Sequence, residues 1–189
     1  MTSMAQTKEK QMQQKARRLI NMMTLDEKIS QMMNETPGIP RLGIKPYDWW
    51  NEGLHGVGRD GRATVFPQPI GMGNPALIRQ IGDAIATEGR AKHNVAQRNN
   101  NYARYTGLTF WSPNINIFRD PRWGRGMETY GEDPFLTGTL GTAYVQGMQG
   151  NAPFYLKVAA CGKHYAVHSS ATFSKLICLL SRCLCSKVM

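Results

Sequence analysis

No aspartate or glutamate follows Asp133, so residues 134–189 carry no carboxylate side chain. Any acid with a chemical task must therefore stand at or before Asp133. Cysteine is scarce and poorly placed for metal: Cys161, Cys178, Cys183 and Cys185 form no CxxC pair and have no histidine at ligand spacing. No apolar run approaches the ~20 residues of a bilayer span. Residues 1–15 are polar and lack the apolar stretch of an export signal. There is no repeat of fixed period, and no glycine-rich turn follows the first predicted strand, as a dinucleotide-binding fold would need.

What is present suits a folded domain. Of 189 residues, 41% are hydrophobic and 19% charged, enough for one domain with a sizeable core. The net charge of +10 is scattered over Arg17 and Arg18, Arg59 and Arg62, and the run from Arg119 to Arg125. Without a basic block or a recognition helix, it reads as solvated surface and not as a nucleic-acid footprint.

Spacing predicts a helix over 8–22, with Met12, Ala16, Leu19 and Ile20 on one side. A second begins at Thr24, where Thr24-Leu-Asp-Glu27 has the form of a capping box, and ends by Asn34 and Pro37. Residues 39–69 read as loop. Asn74-Pro75 opens a helix to about Asn94, with Leu77, Ile78, Ile81, Ile85 and Ala86 as its apolar stripe. A strand over 108–111, a helix from Asp133-Pro134 to Gln149 and a strand over 155–160 follow. This alternation predicts an α/β fold with parallel pairing, best matched by an incomplete (β/α)8 TIM-type barrel of about three strand–helix units.

Three constellations can carry chemistry. All four tryptophans (Trp49, Trp50, Trp111 and Trp123) stand beside polar loop residues. Aromatic faces next to fixed charges suit a sugar, whose C–H faces stack while its hydroxyls bond; core filling is the other use of a tryptophan. The first constellation is Asp48-Trp-Trp-Asn-Glu-Gly-Leu-His-Gly-Val57, where a carboxylate can accept two adjacent hydroxyls. The second runs from Phe118 to Pro134; its interleaved arginines and acids predict an internally paired loop. The third, Gly162-Lys-His-Tyr165, follows a strand, where donors to a ligand are expected. Each by itself is equally a structural feature.

Together, Trp49-Trp-Asn-Glu-Gly-Leu-His-Gly56, Arg119-Asp-Pro-Arg-Trp-Gly-Arg125 with Tyr130-Gly-Glu-Asp-Pro134, and Lys163-His-Tyr165 resemble the N-terminal barrel domain of glycoside hydrolase family 3, in that family's order. Thr24-Leu-Asp-Glu-Lys-Ile29, Gly43-Ile44 and Ala63-Thr-Val-Phe-Pro-Gln68 match as well, so the likeness runs from about Met22 to Ser169. It implies retaining, exo-acting hydrolysis of terminal β-linked sugars, of β-glucosidase or β-xylosidase type. It implies that Glu52 binds hydroxyls of the non-reducing-end sugar and that Arg125, Lys163 and His164 complete this −1 subsite. The peptide bonds around Lys163 and His164 are often strained or cis in the family. The implied partner is a β-linked oligosaccharide or glycoside, with no cofactor, metal, nucleic acid or membrane, and family members are often secreted or periplasmic.

The family's nucleophile is an aspartate in a later barrel motif, and its acid/base a glutamate further on. This chain leaves the pattern after Ser169 and has no further acid, so no catalytic carboxylate is expected in it. Glu52, Glu128, Glu132 and Asp133 are not expected to substitute. The expected organisation is an N-terminal helical extension over 1–21, the barrel part over 22–170 and an aberrant apolar, cysteine-containing tail over 171–189, which reads as a shifted frame or misjoined exon. Two other readings are a non-catalytic sugar-binding remnant, whose three strands leave an open parallel edge, and a basic nucleic-acid-binding protein resting on net charge alone.

Overall fold

Three helix starts are set by a side chain that accepts the amide three residues on. Thr24 Oγ1 takes the Glu27 amide at 3.2 Å while Glu27 Oε2 takes the Thr24 amide at 2.8 Å, closing the capping box. Asn74 Oδ1 takes the Leu77 amide at 3.1 Å, and Asp133 Oδ1 takes that of Leu136 at 2.5 Å. Each satisfies a donor with no partner inside its helix. Pro75 and Pro134 fill the first helical position, where a missing N–H costs nothing.

A computed structural model describes residues 3–165, with side chains from Lys10 onward; the expected tail at 171–189 lies outside the described residues. The elements are α1 (Ser3–Met22), α2 (Leu25–Ser30), β1 (Glu35–Thr36), β2 (Tyr47–Asp48), α3 (Pro75–Arg98), β3 (Thr109–Phe110), α4 (Pro134–Gln149) and β4 (Ala159–Ala160). β1 and β2 pair antiparallel. β3 and β4 pair in parallel, Thr109 opposite Ala159 and Phe110 opposite Ala160, with α4 lying between them in the chain. Asn51 bridges in parallel to Phe110, with α3 between. Consecutive rows at 51, 110 and 160 are thus parallel neighbours joined through helices, a mixed α/β arrangement.

The core is α3 against α4 over this sheet. Ile78, Ile81, Ile85 and Ala86 meet Leu140, Tyr144 and Met148 around Phe110, Val158 and Ala160, all fully or nearly buried. The helices touch backbone to backbone. A Cβ on Gly147 would stand 2.1 Å from the Arg79 carbonyl oxygen, and one on Gly82 would stand 2.7 Å from that of Tyr144. None of the described helices is long and apolar enough to cross a membrane.

Several local expectations change. Leu77 is 53% exposed and off the buried stripe, because it lies about 100° around the helix from Ile78. Met12 and Ile20 of α1 are exposed, so that helix buries no stripe among the described residues. The second helix stops at Ser30, short of Asn34. The strand expected over 155–160 pairs only at its last two residues. Upstream, the Lys157 amide bonds Gln149 O, and Arg90 takes the carbonyls of Leu156 and Lys157 at 2.7 Å, so these backbone groups are satisfied outside any sheet.

Candidate functional site

Glu52 follows directly on Asn51, and the backbone on both sides of it is pinned. Asn51 Nδ2 donates to the carbonyls of Tyr105 and Gly107 at 3.0 and 2.9 Å, and Asn51 Oδ1 accepts the Glu52 amide at 2.9 Å. Gly53 gives its amide to Ser112 Oγ at 3.1 Å, and its carbonyl accepts the Tyr144 hydroxyl. Burial raises the Tyr144 pKa well above the usual phenol value, which keeps that hydroxyl a donor. Core packing of α4 therefore decides where Glu52 stands. On the carboxylate itself, Trp50 Nε1 donates to Oε1 at 3.1 Å and the Arg59 guanidinium lies 4.0 Å from Oε2.

Lys163 enters from the loop after β4. Its amide donates to Pro113 O and its carbonyl accepts the Ile115 amide, both at 2.9 Å, and Asn114 bridges to it in parallel. The Lys163–His164 peptide is cis, as is Ser112–Pro113. His164 is held by Asn116, whose Oδ1 lies 3.1 Å from the His164 amide and 2.8 Å from Nδ1. With that oxygen accepting, Nδ1 carries the proton. Arg125 arrives from the third stretch and forks onto Glu128, Nε to Oε1 at 2.7 Å and Nη2 to Oε2 at 2.5 Å.

These groups share one electrostatic neighbourhood. Arg125 has its pKa raised by the hydrogen bond and charge of Glu128 and by the charge of Glu52. Lys163 has its pKa lowered by burial and by Arg125, with Glu128 and Glu52 pulling the other way. Burial pushes Glu128 up, yet Arg125, Lys163 and an Asn114 amide hold its carboxyl below the usual range. Glu52, Arg125 and Lys163, each on a loop following a row of the parallel set, are thus brought together. His164 is their chain neighbour, oriented by Asn116.

The lowered Glu128 pKa carries a pH consequence. A carboxyl depressed on folding contributes stability that is fully present above its unfolded value of 4.5 and is lost as pH falls through the folded value. Wild type is expected to unfold about 3 °C above Glu128→Gln near neutrality, with the gap closing as pH falls below 4.5 through the folded value. Melting curves across pH check this; a gap that persists at low pH would refute the pairing.

Other motif residues serve the scaffold. His55 Nδ1 faces the Phe66 carbonyl at 3.0 Å and Nε2 faces Gln68 Nε2 at 3.3 Å, so both ring nitrogens are engaged. Asp133 caps α4. Asp120 pairs with Arg122 at 2.6 Å, completing the internally paired loop. Trp50 and Trp111 stack on each other with centroids 4.4 Å apart, and Trp49 donates to Thr36 Oγ1 at 2.7 Å. Gly56-Val-Gly58-Arg-Asp-Gly61 has the spacing of a dinucleotide fingerprint but leads into loop and not into a helix N-terminus. No group of three or more His, Cys, Asp or Glu among the described residues is arranged to hold a metal ion.

Residues 14–176 match the model of the glycosyl hydrolase family 3 N terminal domain. The chain belongs to glycosyl hydrolase family 3. Among curated relatives, it is 48% identical over 163 residues to a xylan 1,4-beta-xylosidase of Xylanibacter ruminicola, covering 83% of this chain and 19% of that one. It is 45% identical over 175 residues to probable beta-D-xylosidase 7 of Arabidopsis thaliana, covering 82% and 22%. A solved family 3 exo-beta-xylosidase, in complex with a xylobiose aziridine activity-based probe, superposes with a TM-score of 0.68 at 41% identity, covering 80% of this chain and 20% of that one. The chain therefore spans about a fifth of the length of the relatives it matches.

Within this family 3 segment, sequence reasoning left out Glu128 as a partner of the site and left out Asn114 and Asn116 altogether. The Arg125–Glu128 spacing of three was a usable signal. The asparagines had none, since they are buried polar residues in a run without periodicity.

Proposed function

We propose that this chain supplies part of the −1 subsite of a retaining, exo-acting β-glycosidase of β-xylosidase or β-glucosidase type. Its scaffold is the opening three strand–helix units of a (β/α)8 barrel, and its ligand the non-reducing end of a β-linked glycoside. The observation that carries the proposal is the meeting of Glu52, Arg125 and Lys163 from three separated loops, all after rows of a parallel sheet, where barrels hold their ligands. The xylosidase names of the relatives support xylose as the first sugar to try.

In this reading Glu52 accepts hydrogen bonds from sugar hydroxyls, while Arg125, Lys163 and His164 donate. Retaining hydrolysis needs two carboxyls roughly 5 Å apart, one to attack the anomeric carbon and one to protonate the leaving oxygen. Glu128 is forked by Arg125, and Glu52 is assigned here to the sugar hydroxyls, so the two do not form that pair. In this reading the nucleophile and the acid/base are supplied from outside these 189 residues. The 189-residue chain is expected to release no nitrophenol from aryl β-xylosides or β-glucosides, yet to bind xylose with an affinity at least about tenfold weaker in Glu52→Gln. Turnover that vanishes with Glu52, or a Glu52→Gln isotherm equal to wild type, would contradict the proposal.

A further inference from the structure

A surface depression lies away from these residues, where the loop after Arg59 leans on α3. It is a shallow depression of about 430 Å³, wide open to solvent and lined by Arg62, Ala63, Thr64, Glu88, Ala91 and Lys92. Glu88, Ala91 and Lys92 are three and four residues apart on one helix face. Arg62, Thr64 and Ala91 are exposed, so the depression opens to solvent.

Its charges are arranged for a ligand. Among the described residues neither Arg62 nor Lys92 pairs with a carboxylate. Lys92 Nζ donates to the Asp60 carbonyl, which fixes the ammonium beside the loop. Glu88 is turned onto Thr64, taking its amide at 3.0 Å and its hydroxyl at 2.5 Å, and forms no ion pair with either cation. Each Glu88 oxygen keeps a lone pair for a further donor. Ala63 and Ala91 present methyls.

We infer that this depression is a binding site for a hexuronate: a pyranose ring carrying one carboxylate. The carboxylate meets Arg62 and Lys92, ring hydroxyls donate to Glu88, and the C–H face rests on the alanine methyls. Inorganic phosphate satisfies the two cations but has no C–H face to lay on the alanine methyls; a neutral sugar leaves both cations unpaired. The choice of a sugar as carrier of the carboxylate rests on the glycosidase reading. The site itself shares no residue with the subsite around Glu52.

Amide chemical-shift titration of the full 189-residue chain tests this, with D-glucuronate, D-xylose, D-glucose and inorganic phosphate as separate probes. Glucuronate is expected to shift the amides of Gly61, Ala63, Thr64 and Ala91 saturably, more weakly as salt rises, while xylose and glucose leave them in place. Arg62→Ala, on an exposed side chain, is expected to weaken glucuronate about tenfold, and Arg62→Lys to restore part of that loss. Unmoved amides, an Arg62→Ala affinity equal to wild type, or phosphate binding as tightly as glucuronate would overturn the assignment. Failure of xylose to shift the amides around Glu52 and Lys163 would count against the −1 subsite alone, because the two sites are read at different residues.

Discussion

Gly147→Ala is expected to destabilise the fold by about 3 kcal/mol, a large share of the stability of a domain this size. The added methyl would sit 2.1 Å from the Arg79 carbonyl oxygen and 3.0 Å from the Asp83 nitrogen, both main-chain atoms that no rotamer change can move. Relief requires α3 and α4 to separate, which opens the layer around Ile78, Ile85 and Met148. It also displaces Tyr144 from the Gly53 carbonyl, so the residue beside Glu52 loses its tether. The control lies in the same helix: nothing stands within 4 Å of a Cβ on Gly138, so Gly138→Ala is expected to stabilise by about 0.5–1 kcal/mol through helix propensity alone. Urea unfolding of the two variants decides the matter. Equal midpoints would mean that the helices do not touch through glycine.

Lys163→Met is expected to raise the melting temperature while weakening xylose binding at least tenfold. Burial lowers the Lys163 pKa against the pull of Glu128 and Glu52, so the fold disfavours the charged ammonium. A methionine of similar length removes that desolvation without emptying the space. The sign follows from linkage: a lysine whose folded pKa lies below its unfolded 10.5 penalises the fold fully below the folded value, and the penalty fades as pH rises through it. The advantage of the methionine variant should therefore be largest near neutrality and shrink in alkaline buffer. A residue kept for a ligand at the expense of stability behaves this way. If Lys163→Met lowers both melting temperature and affinity, Lys163 is a structural cation and the subsite reading loses its central donor.

What could be read from the chain was local in its chemistry. The caps at Thr24, Asn74 and Asp133 join a side chain to an amide three residues on, and all three form as the spacing predicts. The internally paired loop was legible too, though not its pairs, Arg122 with Asp120 and Arg125 with Glu128. The order of the three motifs sufficed for the family, because each is a string of rare residues and the strings follow one another along the chain.

What the sequence left open depends on partners far away in it. Leu77 and Ile78 have nearly equal hydropathy, and only the position of α4 decides which is buried. Residues 155–158 have strand composition, but Arg90 and the end of α4 claim their backbone groups first. Asn51 reads as loop and becomes a row of the parallel set because its side chain bonds Tyr105 and Gly107, more than fifty positions on. The sequence by itself determined the three capped helix starts, the family and the residue types of the proposed subsite. Tertiary structure alone decided that Glu52, Arg125, Glu128 and Lys163 act on one another's charge, since electrostatic coupling depends on distance through space and on the burial that removes water from between the groups.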